Sequence, residues 1–266
     1  MTPPRTLRST VLTAALHRRP AGYPDPEALP AEAIPYAAEV RKLDTLLSGV
    51  TGSQWHTRTV TGWTARELVD HLSGHDAVLA GALGVDPRPA APASPQGSHR
   101  AWRERAFALL RHAAFTPLTG RVEVFGMPMP VGNAYLGRAF ETWIHADDLR
   151  LATGRPVRPP SPRHLLPLAD LHIRSLPAAL KLSGRTRPGR TARIVLTGVL
   201  TADWLIALSR DPAGSTEPSV TLTADALDFC YLAANRRTPD AVPLTITGDR
   251  ALAADLLAVM TFFSDE

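Results

Sequence analysis

Glu141 and His145 are spaced E-x-x-x-H within the stretch AYLGRAFETWIHADDLRLATG. Residues four apart share one face of an α-helix. A third candidate, His71, lies in a second helix-like stretch, ARELVDHLSGHDAVLAGALG. Two imidazoles and one carboxylate from two packed helices make a three-ligand metal site with an open position. That is the form of a catalytic zinc site rather than a closed structural one. By spacing alone His75, one turn beyond His71, competes with it as a ligand, because both lie near the stripe formed by Leu68, Leu72 and Leu79. Asp148 follows His145 by three residues and can orient the second ring nitrogen of that histidine. His56, His99, His112, His164 and His172 lack comparable neighbours.

Two imidazoles and one carboxylate leave a zinc ion with one net positive charge, which favours a thiolate or hydroxide in the open position. The chain supplies no obvious nucleophile of its own. Its single cysteine, Cys230, sits in the apolar stretch ALDFCYLAA, where a buried, inert thiol is expected. No G-x-S-x-G, Walker or dinucleotide fingerprint is present. A nucleophile would therefore arrive from outside, as a metal-bound thiol or water.

These residues need helices to position them, and the sequence marks several. Tyr36, Val40, Leu43 and Leu47 form one apolar stripe that Gly49 ends. Thr64 and Glu67 form a capping box at the head of the helix carrying His71. A third helix is expected over about residues 100–115. A fourth, over about 134–152, packs through Leu136, Phe140, Trp143 and Leu151 and stops at Gly154 and Pro156. The Pro/Ser/Ala-rich run VDPRPAAPASPQGS reads as a loop. Four helices with connecting loops imply a bundle, whose core can hold metal ligands from facing helices.

The second half changes character. RHLLPLADLHIRSLPAALKL reads as helical although interrupted by Pro177. ARIVLTG, DWLIALS, SVTLTA and VPLTITGD have strand character, and ADALDFCYLAAN and RALAADLLAVMTFF read as helices. The class is α+β: residues 1–35, with seven prolines, form an N-terminal arm, 36–158 the helical bundle, and 159–266 a smaller α+β domain.

Composition narrows the remaining classes. The formal charge is +4, but the cations are nearly all scattered arginines, with only Lys42 and Lys181 as lysines. This argues against a nucleic-acid partner. No apolar run is long enough for a membrane span, and the N-terminus lacks a secretory signal pattern. A single cysteine fits a cytoplasmic location.

GWTARELVDHL and FETWIHADDLRLATGRP resemble the two motifs of the mycothiol-dependent maleylpyruvate isomerase family. TADALDFCYLAANRRTPDAVPLTITGDRALAADLL resembles that family's second domain. The resemblance runs over roughly residues 36–266. It implies a DinB-like four-helix bundle followed by a sterol-carrier-like domain. It also implies a divalent metal, usually zinc, on His71, Glu141 and His145, with His71 rather than His75 as the first histidine. The implied thiol cofactor is mycothiol, whose sulfur the metal activates for attack on a small electrophilic substrate. The reaction is then an S-transfer or a cis–trans isomerisation. An arginine of the second domain assists in such enzymes; Arg236 matches that position, with Arg237 beside it, and either suits an anionic cofactor or substrate. Asp148 joins Arg236 as a candidate catalytic residue. The expected assembly is a monomer or homodimer. Competing readings are a small-molecule binding protein with a structural or vestigial metal, and a thiol-independent metal hydrolase.

Overall fold

The computed structural model describes residues 24–85, 94–209 and 217–264. The arm expected over residues 1–35 lies outside them as far as residue 23. From there Leu29 and Ala33 are already buried in the main core.

The first half is helical: α1 (Ile34–Ser48), α2 (Ala65–Ala82), α3 (Pro95–Phe115) and α4 (Val131–Ala152). α2 packs along α3, α1 along α4, and α2 also meets α4. The start of α2 follows the expected capping box: the Thr64 hydroxyl accepts from the Glu67 amide, and the Glu67 carboxylate accepts from the Thr64 amide at 2.7 Å. α3 starts earlier than expected, because Ser94 caps the Gly97 amide and Pro95 occupies the first turn. Proline there loses no helical hydrogen bond, so PQGS is helix rather than loop. In α4, Leu136, Phe140 and Trp143 are buried as expected, but Leu151 is exposed.

One element was not foreseen. A two-stranded antiparallel hairpin, β1 (Arg121–Val124) and β2 (Met127–Pro130), joins α3 to α4 and touches α2 and α4. Its two-residue turn is Phe125–Gly126, both with positive φ (51° and 73°).

The second half opens with α5 (Pro162–Leu182), which stays helical through Pro167 and Pro177. It contacts α4 on one side. On the other it meets β4 (Ala202–Ala207), α6 (Ala226–Ala233) and α7 (Arg250–Ala258). β4 belongs to a four-stranded sheet ordered β4-β3-β5-β6, completed by β3 (Thr191–Thr197), β5 (Val220–Asp225) and β6 (Thr245–Gly248). β3 runs parallel to β5, and both outer pairings are antiparallel. The fold is α+β, a helical bundle followed by a smaller sheet-containing unit, as expected from the sequence. Among the described residues no helix is long and apolar enough to cross a membrane.

Candidate metal centre

The facing sides of α2 and α4 bring four donor side chains together. Donor atoms of His71, His75 and Glu141 lie within 4.8 Å of one another. The ring of His145 stands edge-on to that of His71, with centroids 5.1 Å apart. Trp63, just ahead of α2, packs on His71 at 4.4 Å and covers it from the loop side. Burial lowers the pKa of His71 to about 3, helped by His75 and His145, so its imidazole is neutral over the physiological range. A neutral imidazole is the form that ligates a metal.

Glu141 and His145 are each oriented by side chains behind them. Glu141 Oε2 accepts from Arg138 Nη1 and lies 2.8 Å from His75 Nδ1. Burial pushes the Glu141 carboxyl up, but Arg138 and His75 outweigh it and hold it well below the usual carboxylate range. Arg138 is itself fixed in the core. Its Nε donates to Asp76 Oδ1 at 2.8 Å, and that oxygen also accepts the Tyr36 hydroxyl at 2.7 Å. His145 Nδ1 lies 3.1 Å from Asp148 Oδ2, which leaves Nε2 as its outward nitrogen. Asp148 is gripped by Arg236, whose Nε is 2.9 Å from Oδ1 and whose Nη2 is 2.8 Å from Oδ2. Burial raises the Asp148 carboxyl, but bonds to His145 and Arg236 reverse this and leave it lowered. Next door, Asp147 accepts from the Tyr231 hydroxyl at 3.0 Å and from Trp143 Nε1 at 2.8 Å. Two adjacent aspartates on α4 thus tie the bundle to the second half of the chain.

A cavity of about 610 Å³ opens beside these donors, lined by His71, Arg138, Glu141, His145 and Arg236 at its polar end. The remainder is largely apolar, with side chains from the β1–β2 hairpin, α4, α5 and the C-terminal residues Phe262 and Phe263.

The expected residues His71, Glu141, His145, Asp148 and Arg236 therefore converge. Arg237 does not line the cavity; it pairs with Asp228 and lies 5.5 Å over the Tyr231 ring. Cys230 is buried, and burial pushes its thiol well up, consistent with an inert core residue. Two residues beyond those expected belong to the site. Arg138 sits three residues before Glu141, a helical pairing distance legible in R-A-F-E. His172 lines the cavity with its ring 3.9 Å from Phe140, which no local spacing announces.

Two facing helices of the bundle thus bring histidines and an oriented carboxylate together beside a cavity, an arrangement that could hold a metal ion. Residues 36–150 match the model of the mycothiol maleylpyruvate isomerase N-terminal domain. A crystal structure of a histidine-to-alanine mutant of mycothiol-dependent maleylpyruvate isomerase is similar in fold. It has a TM-score of 0.51 at 16% identity, over 84% of this chain and 95% of that one. Uncharacterized proteins of two Mycobacterium tuberculosis strains are each 25% identical over 243 residues, covering 82% of this chain and 91% of theirs.

Proposed function

We propose that this chain is a zinc- and mycothiol-dependent enzyme acting on a small electrophile by S-transfer or cis–trans isomerisation. The metal would be held by His71, Glu141 and His145, in the bundle unit of residues 36–158; residues 159–266 form the second unit, which supplies Arg236. The observation that carries the reading is the Arg236–Asp148–His145 relay. A carboxylate on the far nitrogen of a histidine is the usual backing of a metal-ligating imidazole. By donor distance alone His75, rather than His145, completes the cluster with His71 and Glu141, but its Nδ1 is engaged with Glu141. Its role is then to orient that carboxylate, with Oε1 left to face the cation.

A divalent cation there would supply Lewis acidity, lowering the pKa of a thiol so that sulfur is available as thiolate near neutral pH. The protein's own contribution is positioning. Arg138 and His75 fix Glu141, Asp148 fixes the His145 tautomer, and Trp63 shields His71 from water. Arg236, engaged with Asp148, acts through that carboxylate rather than as a free anion-binding site.

Metal analysis of the purified protein tests this, followed by calorimetric titration of mycothiol into metal-loaded protein. Stoichiometric zinc and thiol binding lost in His145→Ala are expected. Trace metal only, or no thiol binding by loaded protein, refutes the proposal. Catalysis in thiol-free buffer that His145→Ala abolishes would instead identify a metal hydrolase.

A further inference from the structure

The β1–β2 turn carries an unexplained cost. Val124 pairs with Met127, so Phe125 and Gly126 form a two-residue loop in which both residues have positive φ. Such a turn takes Asn-Gly or Gly-Gly readily, whereas an aromatic residue in the left-handed region is a strained outlier. Core burial does not offset this, since Phe125 remains 48% exposed. What the conformation achieves is placement. The ring lies 4.6 Å from that of His75 and forms one wall of the cavity. Local strain of this kind is held where the surrounding structure uses it.

The same cavity is also lined by Phe262 and Phe263, whose rings meet edge to face at 5.1 Å. Phe262 is also 43% exposed. Met127 and Met129 add polarizable, adaptable side chains to the lining. Charge is the decisive feature. The charged side chains lining the cavity are Arg138, Glu141 and Arg236, and each is already in an ion pair: Arg138 with Asp76 and Glu141, Arg236 with Asp148. In the metal-free protein, a small dicarboxylate entering here would have to break a buried pair to gain a cation, leaving a carboxylate uncompensated. A volume near 610 Å³ falls in the range of about 300–1,000 Å³ typical of pockets for larger organic ligands.

The geometry points to a specificity pocket for a neutral aromatic compound, walled by Phe125 and the Phe262–Phe263 pair, with Phe125 as the specificity-determining residue. That this compound is the electrophile, and not merely a ligand, rests on the function proposed above; its binding does not.

The test is titration of the neutral fluorophore N-phenyl-1-naphthylamine into full-length protein, with and without zinc. Saturable binding is expected in both states. Phe125→Gly, which removes strain as well as the ring, and Phe262→Ser should each weaken it about threefold to tenfold. Maleate and fumarate should fail to displace the fluorophore at concentrations where neutral naphthalenes do. No saturable binding, unchanged affinity in both variants, or displacement by the dicarboxylates overturns the pocket assignment. Zinc stoichiometry and mycothiol heats are measured on the same preparations. Absent metal or thiol binding then removes the proposed function while the fluorophore result still decides the pocket.

Discussion

Arg138→Met gives the sharpest stability test of the network behind the site. The Arg138 side chain is 4% exposed and spans two carboxylates, one of which, Asp76, is completely buried. Removing the guanidinium leaves Asp76 bonded to the Tyr36 hydroxyl and takes the Arg138 cation from Glu141. Breaking a buried pair from one side costs about 3–5 kcal/mol, because the surviving charge is left without compensation. With an unfolding entropy of about 2.1 cal/mol/K per residue, a chain of 266 residues loses roughly 5–9 °C in Tm for that change. Urea unfolding of metal-free protein at pH 7 measures it, since bound zinc would add its own stabilisation. Burial already raises the Asp76 pKa despite Arg138, so in the variant the group folds more easily protonated. A carboxyl whose folded pKa is raised loses stability as pH climbs towards that pKa, so the penalty should shrink at pH 5. The double variant Arg138→Met/Asp76→Asn keeps an acceptor for Tyr36 without the charge and should recover most of the loss. A single-variant loss under about 1 kcal/mol, or no recovery in the double variant, refutes the view that an uncompensated carboxylate sets the cost.

Three further outcomes follow from other parts of the molecule. Asp148→Asn should weaken zinc binding about tenfold to a hundredfold in a chelator competition, and unchanged affinity would remove the relay to His145. Gly198→Ala should cost about 2 kcal/mol or more in urea unfolding. Gly198 has φ +83°, and a methyl there would lie 1.9 Å from Oδ2 of Asp225, the carboxylate that caps α6. His172 is held below its usual pKa by burial, so the unfolded chain binds a proton below about pH 6.5 that the folded chain refuses. Stability therefore falls as pH drops from about 6.5 towards the folded-state pKa, and His172→Phe should flatten that slope relative to the parent.

The parts of the site that were legible in the sequence are those governed by local spacing. His71 on α2 and Glu141 with His145 on α4 announce themselves because a helix repeats every 3.6 residues. The Thr64–Glu67 box marked the start of α2 for the same reason. The strands of the four-stranded sheet were visible as β-branched runs. The rest depends on distance in sequence or on exceptions to propensity. Asp76 meets Arg138 across 62 positions, and nothing near either residue signals the other. The hairpin escaped notice because R-V-E-V and M-P-M-P are only four residues each, and Phe-Gly is not a turn pair that propensity favours. The early start of α3 was hidden by Pro95, which reads as a breaker unless its place in the first turn is known. Leu151 continues the apolar spacing of α4 but lies in its last turn, where the side chain is exposed.

Asp148 has a consequence for how the two halves of the chain communicate. It is one carboxylate with two clients: His145 of the bundle through Oδ2, and Arg236 of the second half through both oxygens. Arg236 also borders the cavity. If a metal occupies the proposed position, its occupancy and that of the cavity are linked equilibria sharing one hinge of charge. By reciprocity, whatever factor zinc imposes on the affinity of a cavity ligand, that ligand imposes on the affinity for zinc. A compound that draws Arg236 away from Asp148 would loosen the metal, and one that packs Arg236 more tightly against it would hold the metal longer.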